Sequence, residues 1–191
     1  MQRENGVLIG TVFDNVDPEK IGRVRVRFPQ YNDQQSDWAR VAAPMAGKDR
    51  GFFFQPEVGD EVLVVCENGD PRRAYVVGGL WSKTDTPPAR DNKDAQNNLR
   101  IIKSRSGHKV TLDDTADAEK IEIIDKTGNH KIVIDSKGKI EIVCSVGDMS
   151  LSAPAGTLKI SAQKVEISAT TEMSVEATGN LTVKGAMVSI N

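Results

Sequence analysis

The chain has no aromatic residue after Trp81. All nine ring-bearing side chains, Phe13, Phe28, Tyr31, Trp38, Phe52, Phe53, Phe54, Tyr75 and Trp81, lie in the first 81 of its 191 residues. Aromatic rings bring large buried areas to compact cores, so the long remainder must have a core too narrow to hold them. No segment approaches the roughly 18 consecutive apolar residues of a membrane span. The opening MQRENGVLIG has no long apolar stretch, so no signal peptide is expected there. Synthesis in the cytoplasm is expected, with any export by another route. The formal net charge of −2 gives no global basic field for nucleic acid. The two cysteines, Cys66 and Cys144, sit far apart in strand-like runs, which points to buried thiols rather than a disulfide framework.

What is present is alternation. In RVRVRFP, Val24, Val26 and Phe28 fall on one face and Arg23, Arg25 and Arg27 on the other. GVLIGTVFDN alternates Val7, Ile9 and Phe13 against the opposite face. EVLVVCE is a nearly continuous apolar run, as in a strand buried on both faces. It leads through NGDP, a strong turn signal, into RRAYVVGGLW. About five strands without helical periodicity predict an all-β, five-stranded closed barrel of the oligonucleotide/oligosaccharide-binding (OB) class over residues 1–82. An SH3-like barrel is the nearest competitor. The polar, proline-containing SKTDTPPARDNKDAQNN opens a linker and transition segment over 83–106.

Residues 107–191 carry a repeat. Apolar pairs recur as Ile121/Ile123, Ile132/Ile134, Ile140/Ile142, Met149/Leu151, Leu158/Ile160, Val165/Ile167, Met173/Val175, Leu181/Val183 and Val188/Ile190. Their mean spacing is about eight residues, an internal period of one short strand and one turn. Glycines fall between the pairs, where positive φ is most useful. Two aliphatic side chains, at roughly 1.5–3 kcal/mol each when fully buried, cannot offset the ordering entropy of one strand. A single-chain meander of such strands would be a ribbon with one bare apolar face. Three copies wound about a common axis close the smallest possible prism. That predicts a homotrimer with an intertwined triple-stranded β-helix. Its core is Ile121, Ile123, Ile132, Ile134, Ile140, Ile142, Leu158, Ile160, Val165, Ile167, Val175, Leu181 and Val183. Pairing between chains also removes free strand edges.

Barrel, linker and octad repeat together resemble the central spike proteins of contractile injection machines: phage baseplate assembly protein V, the VgrG proteins of type VI secretion and the spikes of phage-tail-like particles. The matching pieces are GRVRVRFP, DWARVAAPMAGKDRGFFFQPEVGDEVLVVCENGDPRRAYVVGGLW, SRSGHKVTLDDTADAEKIEIID and the closing GNLTVKGAMVSIN. The resemblance implies a trimeric barrel collar on a β-helical needle, without enzymatic activity, that pierces a target membrane when a sheath contracts. It also implies assembly into the baseplate of a phage tail or tail-like particle, and delivery outside the cell. VgrG proteins carry a long N-terminal docking region not found here, so the tube hub is expected to be a separate polypeptide, or this chain a fragment. Some phage spikes end in a His-rich, iron-binding tip. No histidine lies near Asn191, so no metal is expected there. Val188, Ser189, Ile190 and Asn191 are expected to seat a PAAR-type tip protein. A trimeric receptor-binding fibre or adhesin stalk is the alternative.

No residue pattern points to a cofactor or catalysis. His108 and His130 sit in turn-like contexts without an evident nucleophile partner, and the cysteines and histidines lack zinc-site spacing. DDTADAE (Asp113, Asp114, Asp117, Glu119) does not match an EF-hand loop and reads as a solvated acidic loop. The arginine stripe could hold a single strand if interleaved with aromatics. Phe28 alternates to the other face, so a solvated or salt-bridged face is favoured, with no nucleic-acid partner. In an extended GFFFQP at least one phenylalanine must face away from the barrel, which favours a subunit interface.

Overall fold

The structure is a computed structural model that describes residues 6–89 and 95–189. It comprises two units, residues 1–146 and 147–191. Every regular strand belongs to the first.

The barrel is built from β1 (Val7–Asp14), β2 (Arg25–Phe28), β3 (Gln34–Gln35), β4 (Arg40–Val41), β7 (Glu61–Cys66) and β8 (Ala74–Gly79). A small hairpin, β5 (Ala46–Gly47) and β6 (Arg50–Gly51), projects from it. β1 lies antiparallel between β2 and β7, and β7 pairs antiparallel with β8. β8 then pairs parallel with β4. Reciprocal hydrogen bonds between Val24 and Ala39, 3.0 and 2.8 Å, join the two remaining edges. Since β3 pairs with β2 and β4 with β8, the stretch 34–41 acts as one member of a closed five-member circuit.

The alternation of RVRVRFP survives intact: Val24, Val26 and Phe28 are fully buried. They pack with Leu8, Val12, Ala39, Val62, Val64, Cys66, Ala74 and Val76. EVLVVCE is a correction. Only Val62, Val64 and Cys66 turn inward, and Val65 faces out. A one-chain barrel has a single interior, so its strands bury one face. In β1 the inward residues are Leu8, Gly10 and Val12, while Val7 and Ile9 are exposed. Gly10 marks the closest approach of β1 to β2. A Cβ there would lie 2.3 Å from Val26 Cγ1 and 3.1 Å from the Arg27 carbonyl, so any larger residue forces the strands apart.

Beyond the barrel, β9 (Leu99–Lys103), β10 (Lys109–Asp113), β11 (Lys120–Ile124), β12 (His130–Asp135) and β13 (Ile140–Cys144) form an antiparallel meander in chain order. β9 falls inside the stretch expected as linker and transition.

The second unit has no strand ladder among its described residues, and all of these are exposed. It runs extended and bends at Gly147, Ala155, Gln163, Thr171, Gly179 and Met187, each eight residues beyond the last. The octad inferred from apolar pairs is therefore also a backbone period. Within one chain, the region expected to be β-helical consists of an antiparallel sheet up to Cys144 and an extended octad segment after it.

Candidate functional site

Register places the aliphatic residues of the sheet on one face. Residues directly opposite in antiparallel strands share a face. Ile102 opposes Val110, which opposes Ile123, then Ile132, then Ile142; Leu112 opposes Ile121, then Ile134, then Ile140. This Ile/Val/Leu surface, interrupted in β9 by Arg100 opposite Leu112, faces solvent, with Ile140 70% exposed at the far edge. An apolar surface of this extent marks an interaction site.

The opposite face is chemically different. Lys109 and Lys120 both reach Glu122, at 3.8 and 3.7 Å, while Lys131 and Lys139 reach Glu141, at 3.1 and 3.0 Å. Lys139 and Lys131 hold the Glu141 carboxyl below the usual range. Lys109–Glu122 and Lys131–Glu141 bridge neighbouring strands, whereas Lys120–Glu122 and Lys139–Glu141 are neighbours two residues apart in sequence; Ile101, Ile124, Val133 and Val143 share this face with them. The sheet thus has one mixed, charge-bearing face and one that is predominantly aliphatic.

Of the thirteen residues expected in the core, Ile121, Ile123, Ile132, Ile134, Ile140 and Ile142 come together on this face. Leu158, Ile160, Val165, Ile167, Val175, Leu181 and Val183 lie in the extended second unit, all exposed. Of the expected tip contacts, Val188 and Ser189 are exposed, and Ile190 and Asn191 lie outside the described residues.

The barrel surface holds two features that sequence reasoning only partly found. Phe52, Phe53 and Phe54 all lie outside the core, with Phe53 77% and Phe54 66% exposed. The segment is pinned to the β1–β2 loop: Asn15 donates to the Pro56 carbonyl (3.2 Å), and Gln55 donates to the carbonyls of Asn15 and Arg23 (3.0 and 3.2 Å). The arginine stripe is a correction, because it does meet aromatic rings. Arg25 stacks on Phe13 at 4.9 Å from the ring centre, and Arg23 lies 5.9 Å from that of Trp38. The rings come from neighbouring strands, which alternation within one strand cannot reveal.

The stripe is also engaged in ion pairs. Arg23 donates to Asp17 at 2.7 Å, and the Asp17 side chain is only 3% exposed. Asp17 also accepts from the backbone N–H groups of Glu19, Ile21 and Arg23. Arg23, opposed in part by burial, holds the Asp17 carboxyl far below its ordinary range. Arg25 donates to Gln35 at 3.3 Å, and Arg27 lies 3.8 Å from Asp33.

Carboxylates of the acidic loop have partners within the loop and on the neighbouring strands and turns. Thr115 donates to Asp113, Arg100 pairs with Asp114, and Ser136 donates to Glu119. No group of three or more His, Cys, Asp or Glu gathers at metal-binding spacing among the described residues. His108 Nδ1 accepts from the Lys126 N–H at 3.2 Å, a turn-bracing role. Cys66 and Cys144 are both thiols; Cys66 is buried and Cys144 half-buried.

Residues 8–81 match the family described as the type VI secretion system/phage-baseplate injector OB domain. Among curated proteins, the chain is 37% identical over 93 residues to the actin cross-linking toxin VgrG1 of Vibrio cholerae, covering 44% of this chain and 8% of that one. It is 28% identical over 131 residues to the type VI secretion system spike protein VgrG1a of Pseudomonas aeruginosa (63% and 20%). It is 29% identical over 145 residues to VgrG1b of the same organism (73% and 19%). The chain therefore spans a fifth or less of these relatives. The chain is VgrG-like, and its barrel is similar to the injector OB domain.

Proposed function

We propose that three copies of this VgrG-like chain assemble about one axis as the central spike of a contractile injection apparatus. Residues 1–82 form the collar, 83–106 the transition and 107–191 the shaft. The observation that carries this is the bare aliphatic face of β9–β13. Three such sheets, turned face inward, bury it in a prism whose outer walls are the Lys/Glu ladders. Beyond Gly147, the octads of three chains wind together. Their N–H and C=O groups then pair between chains, and Leu158, Ile160, Val165, Ile167, Val175, Leu181 and Val183 fill the middle.

The mechanism is mechanical and non-enzymatic. A shaft cross-linked by hydrogen bonds around its circumference resists bending and compression, so force from a contracting sheath reaches a target membrane through its point. The barrel end meets the tube hub, and Val188, Ser189, Ile190 and Asn191 seat a PAAR-type tip protein. The spike is made in the cytoplasm, assembled in the apparatus and delivered out of the cell. The similarity to type VI secretion spike proteins supports this role.

Multi-angle light scattering at micromolar concentration tests the assembly. A mass close to three times 20.8 kDa is expected. A folded monomer would overturn the trimer and the spike with it.

A further inference from the structure

The parallel seam between β4 and β8 sets rings and guanidinium groups side by side on the outer wall of the barrel. Ala39, Ala74 and Val76 are buried in the core, so their strand neighbours Trp38, Arg40 and Tyr75 point away from it. Arg40 opposes Tyr75. Its guanidinium lies 5.1 Å from the ring centre and donates to the hydroxyl at 3.3 Å. The turn before β8 brings in Arg72 and Arg73. Together with Asp37 and Glu67, these side chains line a pocket of about 190 Å³. Pockets for drug-sized ligands measure roughly 300–1,000 Å³. This one has room for a single sugar ring.

Most of its charges are paired. Arg73 meets Glu67 at 3.0 Å, and Arg72 holds Asp70 through bonds of 3.0 and 2.8 Å. Arg40 meets no carboxylate at ion-pair distance among the described residues. A row of phosphates would face Asp37, Glu67 and Asp70 as well as the arginines, so the pocket suits one acidic group rather than a polyanion. Hydrogen-bonding groups of both kinds are left to solvent. Among the described residues, the Tyr75 hydroxyl and the Trp38 N–H have no acceptor and the Asp37 carboxylate has no donor. Sugar hydroxyls both donate and accept, and the C–H face of a pyranose packs on the negative face of an aromatic ring. We propose that this pocket binds an acidic saccharide. Its carboxylate takes the open side of Arg40, its ring packs against Trp38, and its hydroxyls reach Asp37 and the neighbouring donors. The site lies within one barrel, so its fate is separate from that of the assembly proposed above.

The chain has only two tryptophans, so Trp81→Phe leaves Trp38 as the sole emitter in the full-length protein. Trigalacturonate is expected to change Trp38 emission saturably, with a dissociation constant at or below about 1 mM. Maltotriose, equally long but without carboxylates, should bind about tenfold more weakly, because it lacks the charge-assisted bond to Arg40. Adding Arg40→Gln, on the barrel surface, should weaken trigalacturonate binding by about the same factor. The melting temperature of that variant should stay unchanged. No saturable response at tenfold the expected constant would overturn the site. Equal affinity for the two sugars would overturn the acidic ligand, and unchanged trigalacturonate affinity in Arg40→Gln would overturn the pocket as its seat. An oligoglutamate that binds as well as trigalacturonate would leave a plain anion site and overturn the saccharide. None of these results bears on the oligomeric state, which light scattering reads separately.

Discussion

The barrel buries eleven hydrophobic side chains within its own interior. Past residue 95 no hydrophobic side chain among the described residues is buried, although isoleucine and valine are plentiful there. Both regions are written in the same alternating code. They differ in whether the sheet can close. The barrel closes through the Val24–Ala39 bridge and the parallel β4–β8 pair, so its inward face sees only itself. The β9–β13 meander is joined strand to neighbouring strand and ends in two edges, so its apolar face sees solvent. Alternation specifies which face is apolar; topology decides whether one chain is enough to bury it.

Four experiments sharpen or break that contrast. The largest effect should come from separating the halves. Residues 1–89 are expected to melt cooperatively at a temperature independent of concentration. Residues 95–191 should fold only as an oligomer, with a melting temperature that rises with concentration. A monomeric, cooperatively folded 95–191 would break the comparison outright.

Next comes Ile132→Lys, in the middle of the aliphatic face. Burying an ammonium group near the axis of the assembly should cost about 3 kcal/mol or more per chain. Light scattering is expected to show monomer, with the barrel's melting transition retained. The reciprocal change is Phe28→Ala. Emptying this fully buried site should destabilise the barrel by about 3–5 kcal/mol, read by thermal melting of 1–89, while the intact chain still assembles through its shaft.

The smallest effect concerns acid. A carboxyl with a depressed folded pKa stabilises the fold above its unfolded value, 3.8 for Asp17. That contribution is lost as pH falls from there toward the folded value. The melting advantage of the native 1–89 barrel over Asp17→Asn should thus be constant from pH 7 to about 5 and shrink below 4. An advantage that grows on acidification would refute the assigned role of the Asp17–Arg23 pair.

Much of this was legible in the sequence. RVRVRFP shows its own inside and outside, and the paired aliphatics beyond Ile121 show both the octad and the bare face. Three things were not legible. The parallel closure joins residues more than thirty positions apart through β4, a strand two residues long and too short for any periodicity. The stacking of Arg25 on Phe13 crosses between strands. The boundary between sheet and octads is carried by a change of spacers that pair positions alone do not show. Lys and Glu alternate with isoleucine in KIEIID and KIEIVC, whereas Ser, Thr, Ala and Gly dominate after Gly147. Long charged side chains pair along one face of the sheet, while the small spacers accompany the extended octad backbone.

The bends at every eighth residue from Gly147 to Met187 bear on how such a chain can change over generations. Removing or duplicating a whole octad leaves every remaining aliphatic pair facing the way it did. A slip of a single residue turns all the following pairs outward. Length in this region is therefore quantised: the chain can be lengthened or shortened by recombination between neighbouring repeats, in steps of one bend.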